Sequence, residues 1–328
     1  MALKTFNKEL PFIKSGWSGN KLNDKGAYTN IHGDDIKGFR EVWRWLGGPR
    51  PLTKLKKGQE SPLFWQAIKN INEKSRNAII PLGHASFIID LNGIRLLIDP
   101  VIVSNRFLKR YTKVPFQIPE LNNVDYLLLS HNHRDHIDKN SVIQICKHNP
   151  NATILTGLEI GKILKDWGIK NNVQEAGWYQ RFKTPETLAI DYLPSHHWSR
   201  RWLMDTNINL WGSFMVQDQV SKKNIYFASD SGYQAHFSEI GNDYEVDMAM
   251  IGIGAYEPQW FMSSAHTGPA DAIRAFKDLK AKKWIPMHYG TYDLSDEPIY
   301  YPEKILREEH SEELAQVIWM GIGKRIDI

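Results

Sequence analysis

From Ala78 onward the chain alternates short apolar runs with turn residues, a spacing that predicts strands interleaved with helices. Residues 86–91 and 94–98 flank Asn92-Gly93, a pair suited to a type I′ hairpin turn because both positions accept positive φ. The run Tyr126-Leu127-Leu128-Leu129 predicts a buried strand. After it, 141–148 reads as a helix, 152–155 as a strand, 157–167 as a helix and 188–193 as a strand. Strands are predicted at 210–216, 224–228, 248–253 and 284–287, with helices at 269–279 and 306–318. Residues 1–77 follow another grammar, mixing Gly, Asn, Asp and Lys with scattered Trp17, Tyr28, Phe39, Trp43, Trp45, Phe64 and Trp65. There only 38–46 and 61–72 show helical spacing, so 1–77 is expected to be an aromatic-rich arm packed on a body formed by 78–328.

Four of the apolar runs end on residues that bind metals. Leu129-Ser130 leads into His131-Asn132-His133-Arg134-Asp135-His136, Pro194-Ser195 into His196-His197, Ala228-Ser229 into Asp230, and Pro286-Met287 into His288. Strand ends are where an α/β protein gathers ligands, since the loops vary while the sheet beneath stays rigid. Four nitrogen and oxygen donors within six positions suit zinc, iron or manganese. A solvated polar loop would account for one such turn, and an ordinary Asp-Ser-Gly turn for Asp230, but their recurrence favours a shared site.

Composition narrows the class without changing the picture. With 328 residues and 42% of them hydrophobic, the chain can bury a large α/β core. Its single cysteine, Cys146, excludes an internal disulfide and a thiolate-rich metal site, and its apolar neighbours predict a buried helix face. The net charge of +4 tilts weakly toward anionic partners. The cluster Lys54-Leu55-Lys56-Lys57 is too short to indicate nucleic acid, and no aromatic-plus-arginine stripe for bases is present. No run approaches a membrane span and the first residues carry no apolar leader core, so a cytoplasmic protein is expected.

The His131-x-His133-x-Asp135-His136 turn, with a later His, Asp and His, resembles the signature of the metallo-β-lactamase superfamily. A closer resemblance is to the N-acylphosphatidylethanolamine-hydrolysing phospholipase D branch. It is carried by Leu82-Gly83-His84-Ala85, Ile98-Asp99-Pro100, His197-Trp198, Leu203-Met204-Asp205, Leu210-Trp211-Gly212-Ser213, Asp230-Ser231-Gly232-Tyr233, the run Ile253 to Met262, and Met287-His288-Tyr289-Gly290-Thr291. The resemblance implies an α/β fold of four layers, αββα, with two sheets packed together and helices outside.

It also implies that His131, His133 and His197 hold one metal, Asp135, His136 and His288 another, and that Asp230 bridges them. Two zinc ions are the expected cofactors, with iron or manganese as alternatives. Asp135 would orient and deprotonate water, and His266 would bind phosphate or protonate the leaving group, a competing role for His266 being to cap the helix near Pro269. Asp99 and His84 are expected to support the ligands, and Tyr256, Gln259 and Trp260 to shape the substrate pocket. The implied reaction cleaves N-acylphosphatidylethanolamine to N-acylethanolamine and phosphatidate, with peripheral membrane contact through apolar groups on the arm, and a homodimer. The alternatives are a hydrolase of a soluble phosphorylated metabolite resembling the ascorbate-6-phosphate lactonase group, and a non-catalytic metal-binding protein of the same fold. Three departures stand out: Arg134 replaces the Tyr of the animal enzymes, Ala265 replaces the Gln before His266, and the N-terminal arm matches poorly.

Overall fold

The computed structural model describes residues 3–33, 37–103 and 108–328. Residues 1–2 and 34–36 of the expected arm lie outside that set. Two large sheets form the body. One has seven strands in the order Ile326–Asp327, Asn77–Gly83, Ser86–Leu91, Ile94–Ile98, Tyr126–Leu129, Thr153–Gly157, Val173–Ala176. The other has six, in the order Lys283–Met287, Met248–Gly252, Lys223–Phe227, Ser213–Asp218, Leu188–Leu193, Gln180–Arg181. In chain order each sheet starts with antiparallel neighbours and finishes with parallel ones, the edge strand Ile326–Asp327 aside. Parallel neighbours need a crossover, and four of the five crossovers carry the helices Lys139–His148, Ile160–Asp166, His236–Asp243 and Pro269–Asp278, while the one from Ile94–Ile98 to Tyr126–Leu129 has the 3-10 turn Ile118–Glu120. The result is helix, sheet, sheet, helix.

Strand period two produces this layering. Along the seven-stranded sheet, Phe87, Ile89, Leu96, Ile98, Leu128 and Leu155 join the core between the sheets. Their neighbours Ile88, Leu97, Leu127, Leu129 and Ile154 pack with Val142, Ile145, Cys146 and Leu164 of the outer helices. Phe87 meets Phe227 of the other sheet edge-on, with ring centroids 6.3 Å apart. Burial pushes the Cys146 thiol up to about 12, so it packs as an inert apolar group. The hairpin turn has Asn92 at φ 47° and Gly93 at φ 84°, as a type I′ turn requires.

Two predicted helices are corrected. Residues 61–72 are not helical: Phe64–Trp65 form a short strand parallel to Gly321–Ile322, a long-range pairing that helical spacing cannot reveal. The last helix starts earlier, as Tyr301–Glu309, with Pro302 in its first turn, and a separate 3-10 turn follows at Ser311–Gln316. The segments before residue 78 attach to the body by named contacts. Phe12 bridges Gln180, Asn30 donates its amide to the His197 carbonyl at 2.9 Å, and Trp45 stacks on Phe261. No helix among the described residues is long and apolar enough to cross a membrane.

Candidate metal centre

The donors that lie far apart in sequence meet in the gap at one edge of both sheets. The seven-stranded sheet delivers His131, His133, Asp135 and His136 after the strand Tyr126–Leu129, His84 after Asn77–Gly83 and Asp99 after Ile94–Ile98. The six-stranded sheet delivers His197, Asp230 and His288 after Leu188–Leu193, Lys223–Phe227 and Lys283–Met287. Several of these ends turn through left-handed backbone: His84 at φ 58°, Asp99 at 38°, Ser229 at 57° and His288 at 63°. Such conformations cost non-glycine residues roughly 1–3 kcal/mol each and persist where the surroundings enforce them. Here they turn the chain out of the sheet just as a donor is reached.

The donors fall into two sets around Asp230. Its Oδ2 lies 3.9 Å from His131 Nε2 and 3.8 Å from His197 Nε2. His133 Nδ1 closes that set, 3.0 Å from His131 Nε2 and 3.1 Å from His197 Nε2. Asp230 Oδ1 lies 3.1 Å from His136 Nε2 and 3.0 Å from His288 Nε2, and Asp135 Oδ2 stands 3.6 Å from His288 Nε2. The chain has thus converged seven nitrogen and oxygen donors, and Asp230 turns one oxygen to each set. Both Asp230 oxygens and the Nε2 atoms of His136 and His288 are buried without a hydrogen-bond partner. Orphaned buried donors at such spacing are costly unless a cation sits among them, and neutral imidazole with carboxylate is a fitting set for a transition metal.

Neighbouring groups aim the imidazoles. Asp99 accepts from His136 Nδ1 at 2.8 Å, from the Ser130 backbone N–H at 2.8 Å and from the Ser130 hydroxyl. With Ser130 donating to Asp99, its Oγ receives the Nδ1–H of His131 at 3.0 Å, so one carboxylate orients two rings and leaves both Nε2 atoms facing the gap. His197 Nδ1 donates to the Ala265 carbonyl at 2.9 Å. His84 Nε2 lies 3.2 Å from Asp135 Oδ2, and its ring lies 4.1 Å from that of His288.

Burial lowers the pKa of several imidazoles: His133 to about 4, His197 to about 3, and His131 well below the ordinary value. Burial also opposes charge on His136 and His288, but the Asp230 and Asp135 carboxylates outweigh it, holding His136 well above the usual range and His288 at about 9. Those same histidines outweigh burial at Asp230 and keep its carboxyl well below the usual range.

The other candidates are placed less uniformly. His266 Nδ1 lies 3.7 Å from Asp230 Oδ2, and its ring is stacked on His288. The helix Pro269–Asp278 has Gly268 at its N-cap with no side-chain cap, so His266 does not serve there. Tyr256 is buried against Gly268, whereas Gln259 and Trp260 stand exposed on the short helix Gln259–Met262. His196 belongs to neither donor set and forms a bridge with Gly232. Ser130 and the Ala265 carbonyl were not foreseen. Ser130 directly precedes the first histidine, which is the one trace of its role in the sequence.

Comparison with known proteins identifies the family. A family profile described as "Beta-lactamase superfamily domain" matches residues 94–289. The N-acyl-phosphatidylethanolamine-hydrolyzing phospholipase D 1 of Caenorhabditis elegans is 34% identical over 243 residues, 69% of this chain and 68% of the relative. The mitochondrial enzyme of that name from Saccharomyces cerevisiae is 32% identical over 241 residues, 69% of this chain and 50% of the relative. Among solved structures, a metallo hydrolase of the archaeon Ignicoccus hospitalis superposes with a TM-score of 0.59 at 22% identity, covering 77% of this chain and 98% of that one, a likeness of fold. The chain therefore belongs to the β-lactamase superfamily, and within it to the branch of metal-dependent hydrolases that includes the N-acyl-phosphatidylethanolamine-hydrolysing phospholipases D.

Proposed function

We propose that the protein is a two-metal phosphodiesterase that cleaves N-acylphosphatidylethanolamine to N-acylethanolamine and phosphatidate. The observation that carries the reading is the division of the two Asp230 oxygens between separate donor sets. The substrate follows from the likeness to two enzymes named for it. His131, His133 and His197 would hold one ion, Asp135, His136 and His288 the other, and Asp230 both. Zinc is the first choice, and iron or manganese suits the same donors. Once bound, the pair supplies Lewis acidity to the phosphoryl oxygens and acidity to water.

The rest of the chemistry belongs to the chain. Water adds to phosphorus, the P–O bond to the ethanolamine oxygen breaks, and that oxygen takes a proton. The Asp135 side chain is 16% exposed against 2% for Asp230, so Asp135 is the carboxylate that water can reach, and it accepts the proton that water loses. Burial holds His266 at about 3, so it enters as a neutral imidazole offering one N–H to a phosphoryl oxygen. This favours anion binding by His266 over proton donation. Residues 1–77 are read as an arm on a catalytic body of 78–328.

The test is hydrolysis of N-acylphosphatidylethanolamine beside soluble phosphodiesters and lactones, each with and without chelator and with zinc restored. Release of N-acylethanolamine that zinc restores supports the reading. Equal rates on every substrate, or turnover of lactones alone, would replace it with a generic hydrolase or a lactonase.

A further inference from the structure

We infer that the loop tip Trp202-Leu203-Met204 is the part of the molecule that enters an anionic lipid bilayer, and that it does so beside the metal cage. The purpose of such docking rests on the lipid substrate proposed above, but the tip itself is read from its own geometry. Leu203 and Met204 are each 93% exposed and Trp202 is 64% exposed, three consecutive large apolar side chains facing outward. Folded chains seldom leave such a cluster in water unless something covers it.

The neck below the tip is ordered. Asp205 Oδ1 accepts from the backbone N–H of Arg201 at 3.0 Å and of Trp202 at 2.8 Å, and the Asn207 N–H donates to the Ser199 carbonyl at 2.8 Å. The tip is also tied to the ligand turn. Arg201 Nη1 donates to the carbonyls of Asn132 at 3.1 Å and Ile137 at 2.8 Å, bracketing His133 to His136. Arg134, inside that turn, returns a hydrogen bond to the Arg201 carbonyl and lays its guanidinium over the Trp202 ring at 5.2 Å. Inserting the tip would therefore set the cage at the bilayer surface in a fixed relation.

Charge indicates which surface. Arg134 and Arg200 are exposed at the base of the tip, Arg200 rests on the Trp198 ring, and neither forms an ion pair with a described acidic residue. An apolar point collared by guanidinium groups whose charge no described carboxylate neutralises matches the interface of acyl chains and anionic headgroups. A second copy of the chain suits it less. A stable dimer needs about 800 Å² from each partner, more than three side chains at a convex tip supply, and a two-fold contact would bring the arginines together.

The test is cosedimentation of the full-length, zinc-loaded protein with vesicles of phosphatidylcholine, with and without phosphatidylserine. L203E/M204E is expected to lose roughly a hundredfold in partition, while V220E, at an exposed apolar residue elsewhere, leaves it unchanged. R200E is expected to lose several-fold, on phosphatidylserine vesicles only. Retained zinc content and hydrolysis of bis(p-nitrophenyl) phosphate in L203E/M204E would show that the fold is intact. Should that variant lose zinc, L203A/M204A reads the same direction with a smaller loss. Unchanged partition in the tip variants overturns the inference, as does a dimer that they dissolve without any effect on vesicles. Tip-dependent binding by a protein that leaves N-acylphosphatidylethanolamine uncleaved would refute the substrate and leave the docking surface standing. Cleavage with tip-independent binding would do the reverse.

Discussion

The Asp99 carboxylate meets His136 Nδ1 at 2.8 Å with neither side chain accessible to water, and through Ser130 it also orients His131. Asp99→Asn keeps the shape but can no longer hold both rings as Nε2 donors. It is expected to lower metal affinity by about 10–100-fold, read as zinc retained per chain after dialysis against graded chelator. Undiminished retention would reduce Asp99 to a turn residue.

Asp230 and His197 should differ in their effect on stoichiometry. His197 faces one donor set, so His197→Ala is expected to leave one ion bound, whereas Asp230 faces both and Asp230→Asn should leave less than one. Hydrolysis is expected to fall by roughly 10²–10³ or more in each variant, as for other losses of electrostatic stabilisation. Equal zinc content in the two variants would mean that the carboxylate does not bridge.

The two halves of the cage should respond differently to pH. His131, His133 and His197 are held low by burial and are neutral at pH 7, so their set should take zinc there without releasing a proton. His288, held at about 9, and His136, held well above the usual range, carry protons at pH 7 when metal has been stripped. Zinc must displace them, so affinity on that side should rise with pH from 7 toward 9, roughly tenfold per pH unit for each proton released. Calorimetric titration of chelator-treated protein in buffers of different ionisation enthalpy counts those protons. Two binding events with identical proton release would refute the assignment.

Gly254 lies against the backbone of His288, and a Cβ there would run into the His288 carbonyl oxygen and approach Tyr289 Cβ to 3.2 Å. Gly254→Ala is therefore expected to shift His288 and weaken the Asp135, His136 and His288 set selectively, leaving the other ion in place. Metal content against chelator concentration would resolve the two steps.

Away from the site, Arg95 holds Asp90 bidentately at 2.6 and 2.7 Å in full burial. Asp90→Ala strands a buried guanidinium and should destabilise the fold by about 3–5 kcal/mol. Chemical denaturation measures the loss, while the folded fraction keeps its capacity to bind metal.

Much of this arrangement was legible because strand alternation and strand-end ligands are local signals. The hairpin at Asn92-Gly93 and the strand Leu188–Leu193 could be read from neighbours alone. The pairing of Phe64–Trp65 with Gly321–Ile322 could not, since its partner lies at the far end of the chain. The helix His236–Asp243 was also missed; its short sequence carries polar residues and a glycine, and it is held by burial of Phe237 and Ile240. Which nitrogen of each ligand faces the gap depends on Ser130, Asp99 and the Ala265 carbonyl, none of which has a spacing rule.

Each half of the sandwich alone carries an incomplete set of donors. An ion seated between them is thus a crosslink that the chain does not encode covalently, and its binding free energy adds to the adhesion of one half to the other. A polypeptide with one cysteine cannot form an internal disulfide. This gap gives it a detachable stitch instead, tight while the ion is supplied and undone when a competitor removes it.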